Sequence, residues 1–150
     1  MITTMGPKNQ LYAQLSEQAC QELAKHEQRL TVSGGTSLVR YGVPMNHLVI
    51  LDSGSAEIYV PSAGKALSLG IAGPGRVLGL QSVLSGEAPP TSAICRELCD
   101  VTLVPREVFL GVLRRHPQIY FSIARILSSE LSTADHAIRT HRCSPKAKAG

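Results

Sequence analysis

Among side chains able to hold a metal, the chain offers five histidines and four cysteines. His26, His47, His116, His136 and His141 are scattered and form no His-x-His pair. The imidazole and carboxylate cluster of a metal-dependent β-barrel enzyme is therefore not expected. Of Cys20, Cys95, Cys99 and Cys143, only Cys95 and Cys99 are close together. Residues 93–104 read as one strand, in which an even offset puts both thiols on one face about 13 Å apart. That is too far for one zinc ion, so buried apolar thiols are the expectation. Ser85-Gly86-Glu87 and Asp52-Ser53-Gly54 read as turns, not as the strand-to-helix elbow that exposes a catalytic serine. No Gly-x-x-x-x-Gly-Lys or Gly-x-Gly-x-x-Gly run stands at a strand-to-helix junction. These residue types assemble no catalytic constellation, and neither an enzyme nor a metal is expected.

The remaining chemistry lies between residues 79 and 93. Leu80, Val83 and Leu84 after Gly79 fit one short helical turn. Ser85-Gly86-Glu87-Ala88-Pro89-Pro90 must then be irregular. An irregular insertion inside a β domain is where a binding loop is expected.

The elements that would position it follow from period and punctuation. Residues 10–25 carry Leu11, Leu15, Ala19, Cys20, Leu23 and Ala24 at helical steps, with Ser16 and Glu17 able to split the helix in two. Residues 29–32, 36–41, 47–51, 56–60, 65–71 and 93–104 are short, strand-like and rich in Val, Ile, Leu, Thr and Tyr. Turn residues such as Gly34-Gly35, Ser53-Gly54 and Gly73-Pro74-Gly75 separate them. The pattern predicts a mainly β fold with flanking helices: an antiparallel β-sandwich or jelly-roll barrel followed by a long C-terminal helix. Residues 106–114 fit a short helix, and 118–139 run without Pro or Gly. Along that last stretch Ile119, Ile123, Ile126, Leu127, Leu131, Ala134 and Ile138 form an apolar stripe. A stripe this long can serve the chain's own core, a second subunit, or both. A homodimer through Ile119, Ile123, Leu127, Leu131 and Ile138 is the expectation, with a protein partner as a second candidate.

The domain boundaries expected are a flexible N-terminus at 1–10, one domain at 11–140 and a disordered basic tail at 141–150. With 43% hydrophobic and 17% charged residues, the chain is too apolar for disorder and lightly charged for a monomer's surface. No apolar run reaches membrane-spanning length and the first ten residues lack a signal-peptide pattern, so a soluble, cytoplasmic protein is expected. Much of the net charge of +4 falls on Arg139, Arg142, Lys146 and Lys148, beside His136 and His141, which suits a solvated tail. Without Trp and with only two Phe, a platform for stacking single-stranded bases is poorly supplied.

Taken in order, the blocks Tyr41-Gly42-Val43-Pro44, His47 through Val60 with its Ser53-Gly54 turn, Gly73-Pro74-Gly75-Arg76-Val77-Leu78-Gly79, Thr91-Ser92-Ala93, Val104-Pro105-Arg106-Glu107-Val108-Phe109 and His116-Pro117 carry a resemblance. Across residues 11–139 the chain resembles the cyclic-nucleotide-binding domain of the catabolite-activator and fumarate-nitrate-regulator superfamily. Residues 77–86 look closer to the fumarate-nitrate-regulator branch, but only Cys20 precedes the strands, so that branch's iron-sulfur cluster is not expected. DNA readers of this family add a helix-turn-helix after the long helix. About a dozen residues follow Arg139, so direct DNA binding is not expected; the chain is either a fragment of a regulator or an independent sensor.

What the resemblance implies for the site is a cassette in which a short helix presents backbone N–H groups to a cyclic phosphate, an acidic residue holds the ribose and an Arg pairs with the phosphate. Matched here, Gly79 keeps the glycine, Leu80 stands at the acidic position and Thr91 at the Arg position. The candidate ligand-binding residues are Gly79, Leu80, Gln81, Ser82, Thr91, Ser92 and Ala93. Arg76 or Arg96 could replace the missing cation, and Glu87 the missing acid, although each reads more simply as a surface charge. A cyclic nucleotide is the ligand the resemblance would supply, yet both charged contacts are missing. The expectation is a sensory module with a degenerate cassette, no bound cofactor, and weak or altered ligand binding; a ligand-free interaction scaffold is the alternative.

Overall fold

A computed structural model of the chain describes residues 9–128. Ser16 divides the first helical stretch: a 3-10 turn, Tyr12–Gln14, precedes helix α1, Glu17–Ala24. The Ser16 side chain accepts a hydrogen bond from the Ala19 N–H at 3.2 Å, so the serine caps α1 instead of continuing the turn before it.

Eight strands follow: β1 Gln28–Val32, β2 Ser37–Val39, β3 His47–Ser53, β4 Ala56–Ser62, β5 Lys65–Ala72, β6 Val77–Leu78, β7 Ser92–Cys95 and β8 Cys99–Pro105. They form two four-stranded antiparallel sheets, ordered β1-β8-β3-β6 and β2-β7-β4-β5. The sheets face one another as a sandwich and do not close into a barrel. Helix α2, Leu80–Ser85, interrupts the strands, and α3, Arg106–Arg115, follows them. A further helix, α4, covers 119–128 up to the last described residue.

Two apolar layers hold these parts together. Val49 and Leu51 on β3 face the opposite sheet with Val39, Ala56, Ala93 and Val101, whereas Leu48 and Ile50 face the helices with Leu23, Val104, Phe109 and Leu113. The unbroken run Leu48-Val49-Ile50-Leu51 is thereby explained, since a strand covered on both faces needs no alternation. Ile119 and Ile123, expected on a seam between subunits, are 3% and 2% exposed and belong to the chain's own helix-facing core. Leu131 and Ile138 lie outside the described residues, as do His136, His141 and the basic tail.

Residues 93–104 do not form one strand. Arg96-Glu97-Leu98 carries the chain from β7 in one sheet to β8 in the other, with the Arg96 N–H donating to the Ser55 carbonyl at 2.9 Å. Cys95 and Cys99 therefore sit on opposite sheets in one buried layer, not along one strand about 13 Å apart. Burial, with a hydrogen bond to Cys99, pushes the Cys95 thiol pKa up to about 11, in keeping with its place in the apolar layer. Among the described residues no group of three or more His, Cys, Asp or Glu could hold a metal, and no helix is long and apolar enough to cross a membrane.

Candidate functional site

The chain enters the site along β6 and turns at Gly79, whose φ of 81° suits glycine. A Cβ at that position would run into the Met45 thioether. Helix α2 occupies six residues and ends at Gly86, whose N–H donates to the Ser82 carbonyl at 2.8 Å. The Arg106 Nε–H donates to the Val83 carbonyl at 2.7 Å, fastening α2 to the start of α3. The loop beyond α2 is tied down as well. Ser82, 3% exposed, donates its hydroxyl to the Glu87 carbonyl, and the Gly42 N–H donates to the Pro89 carbonyl at 3.1 Å.

Between this cassette and the sheet β2-β7-β4-β5 lies a cavity of about 260 Å³. Of the candidate ligand-binding residues, Gly79, Leu80, Gln81, Ser82, Thr91 and Ala93 line it. Ser92 does not; its hydroxyl oxygen accepts a hydrogen bond from the Tyr41 N–H at 3.0 Å and so anchors the neighbouring loop. Leu80 is 1% exposed and joins the helix-facing core, and Thr91 is half-buried.

Other walls come from residues that sequence reasoning left out of the site. Val39, Ile58 and Leu69 contribute from β2, β4 and β5, Pro89 and Pro90 from the loop, and Leu127 from α4. Leu127 stood on the apolar stripe but was assigned to the dimer face. Its position on the stripe was the available signal, since a helix that serves its own core can also serve a pocket in it.

Of the charged residues weighed as ligand contacts, Arg76 lines the cavity, and it already interacts within the chain. Arg96 is exposed in the β7–β8 turn and acts on Glu57 on β4. The Glu57 carboxyl is held below its usual range, first by the Ser68 hydroxyl at 2.7 Å, then by the Tyr59 hydroxyl at 3.0 Å, with Arg96 adding a smaller effect. Glu87 is exposed and stands outside the cavity wall. No acidic residue lines the cavity among the described residues. The site can enclose a small molecule, and among the described residues its wall holds no carboxylate and a single arginine, Arg76.

Comparison with known proteins agrees with this geometry. The family model for the cyclic nucleotide-binding domain matches residues 29–116. The fold is similar to that of the catabolite activator protein of Thermus thermophilus, with a TM-score of 0.74 and 23% identity over 89% of this chain and 63% of that one. It is similar as well to the sensor domain of the transcriptional regulator DNR from Pseudomonas aeruginosa (TM-score 0.70, 18% identity, 82% of this chain and 83% of that one). A third similar structure is the regulatory domain of Toxoplasma gondii PKA crystallised with cAMP (TM-score 0.66, 21% identity, 70% of this chain and 40% of that one). The chain thus spans less than two thirds of the Thermus protein's length. No curated protein matches it in sequence.

Proposed function

Since the chain belongs to the cyclic nucleotide-binding domain family, we propose that it is a sensory and regulatory module, not an enzyme, whose cassette keeps the family's shape but binds cyclic AMP and cyclic GMP weakly or not at all. The observation that carries this reading is Leu80: a buried apolar side chain stands at the start of α2 where a ribose would need a carboxylate. Thr91 adds to it, because a hydroxyl gives a neutral hydrogen bond where an arginine would give a charged, forked one. Losing a buried charged contact costs about 2 to 5 kcal/mol, well over a tenfold loss of affinity. The open cavity favours a ligand-binding role over a ligand-free scaffold, for which Leu80 and its neighbours would fill the space.

Thermal unfolding tests the reading. A ligand present at about 100 times its dissociation constant stabilises a protein by about 2.7 kcal/mol, whereas one at its dissociation constant adds only about 0.4 kcal/mol. Cyclic AMP or cyclic GMP at about 1 mM is expected to raise the melting temperature by no more than roughly 1 to 2 °C. A rise of about 5 °C or more with either nucleotide would overturn it.

The proposal includes a homodimer formed along 118–139. Tyr120 and Phe121 support it, since they are 50% and 80% exposed on α4 while Ile119 and Ile123 serve the chain's own core. Light scattering at high micromolar concentration is expected to give the mass of two chains. A strict monomer would remove the dimer and leave the pocket argument untouched.

A further inference from the structure

We infer that the cavity beneath α2 takes a neutral, predominantly apolar small molecule of about two or three linked rings. This rests on reading the cassette as lacking its charged contacts, and it goes further by assigning a class of ligand. The walls carry the argument. Val39, Ile58, Leu69, Leu80, Ala93 and Leu127 close the cavity from four strands and two helices. Its polar side chains offer little. Ser82 donates its hydroxyl to the Glu87 carbonyl, and Arg76, the one cation on the wall among the described residues, already has an interaction within the chain. Gln81 and Thr91 remain, enough to orient a ligand through one or two hydrogen bonds, and no acidic side chain lines the wall.

Size agrees with chemistry. An apolar cavity of about 150 Å³ stays dry and accepts benzene. At about 260 Å³ this one has room for a larger ring system. Water that enters has few partners, so an apolar group displaces it at little cost. A bulge between Ile58 and Tyr59 helps to shape the wall: Ile58 pairs with Gly70 and Tyr59 with Ser68, which leaves Leu69 as the extra residue of β5, beside the cavity. Ile71, also lining the cavity, is 52% exposed and marks an apolar rim. Because Leu127 belongs to α4, an occupant touches that helix directly.

The test uses two probes that share a ring system, neutral N-phenyl-1-naphthylamine and its sulfonate, 1-anilinonaphthalene-8-sulfonate, titrated by fluorescence into the full chain. The neutral probe is expected to bind saturably at one site per chain and about tenfold or more tighter than the sulfonate, since burying the anion lacks compensation. Thr91→Arg, which narrows and charges the cavity, should weaken the neutral probe by about tenfold, and Ala93→Leu should act in the same direction by filling space. Leu98→Ser removes an apolar side chain 67% exposed and outside the cavity, and should change nothing. Equal binding of both probes, tighter binding of the sulfonate, or indifference to both cavity substitutions would overturn the inference. If neither probe binds and cyclic nucleotides bind weakly, this inference fails while the degenerate cassette stands. Tight cyclic AMP binding would instead remove the reading on which it rests.

Discussion

Leu80→Glu is expected to destabilise the domain by about 3 to 5 kcal/mol at neutral pH, although it restores the residue type that a ribose contact requires. Leu80 is 1% exposed and packs in the same layer as Val83, Phe109 and Ile123. A carboxylate placed there is taken out of water into an apolar layer, and the folded state favours its neutral form. The sign follows directly. Burial raises the introduced group's folded-state pKa above its unfolded value, so the penalty is greatest at high pH and fades as pH falls toward about 4. Urea unfolding at two pH values measures both, with Leu80→Met as a volume-conserving comparison expected to cost under about 1.5 kcal/mol. A Leu80→Glu protein within about 1 kcal/mol of wild type at neutral pH would mean that the start of α2 is already a polar, ligand-ready position, contrary to this account.

Thr91→Arg is expected to act in the opposite sense, on binding. Thr91 is half-buried and lines the cavity, so a longer side chain there can reach into it. A guanidinium there supplies a charge-assisted, forked contact to a cyclic phosphate. Charged contacts of this kind are worth about 2 to 5 kcal/mol, so cyclic AMP affinity should rise roughly thirtyfold or more. The gain should shrink as salt is added, since part of it is long-range attraction. Binding of cyclic AMP unchanged by Thr91→Arg would show that something other than the missing cation limits the site.

Much of the fold was legible because its turns are chemically explicit. Ser53-Gly54 and Gly73-Pro74-Gly75 interrupt the chain where the sheets require it, and β3, β4 and β5 lie where β-branched and aliphatic residues predicted them. The break between β7 and β8 was not legible, because Arg96-Glu97-Leu98 holds neither Gly nor Pro and its reversal is held by a hydrogen bond to Ser55 in the distant turn between β3 and β4. Strand β6 has two residues, too few to display alternation. Within the site, the cassette from Gly79 to Ser82 was readable as a local motif. Its walls were not: Val39, Ile58 and Leu69 reach the cavity through non-local sheet pairing, and Leu127 through the way α4 packs on its own core. Periodicity shows that a helix has an apolar face, not which surface that face meets.

The central claim is that the family's shape persists here without its phosphate and ribose contacts. Isothermal titration of cyclic AMP into wild type, with Thr91→Arg run alongside, tests it most directly. Wild type is expected to bind with a dissociation constant of about 1 mM or weaker, and the variant much more tightly. Wild-type binding at about 100 μM or tighter would contradict the claim.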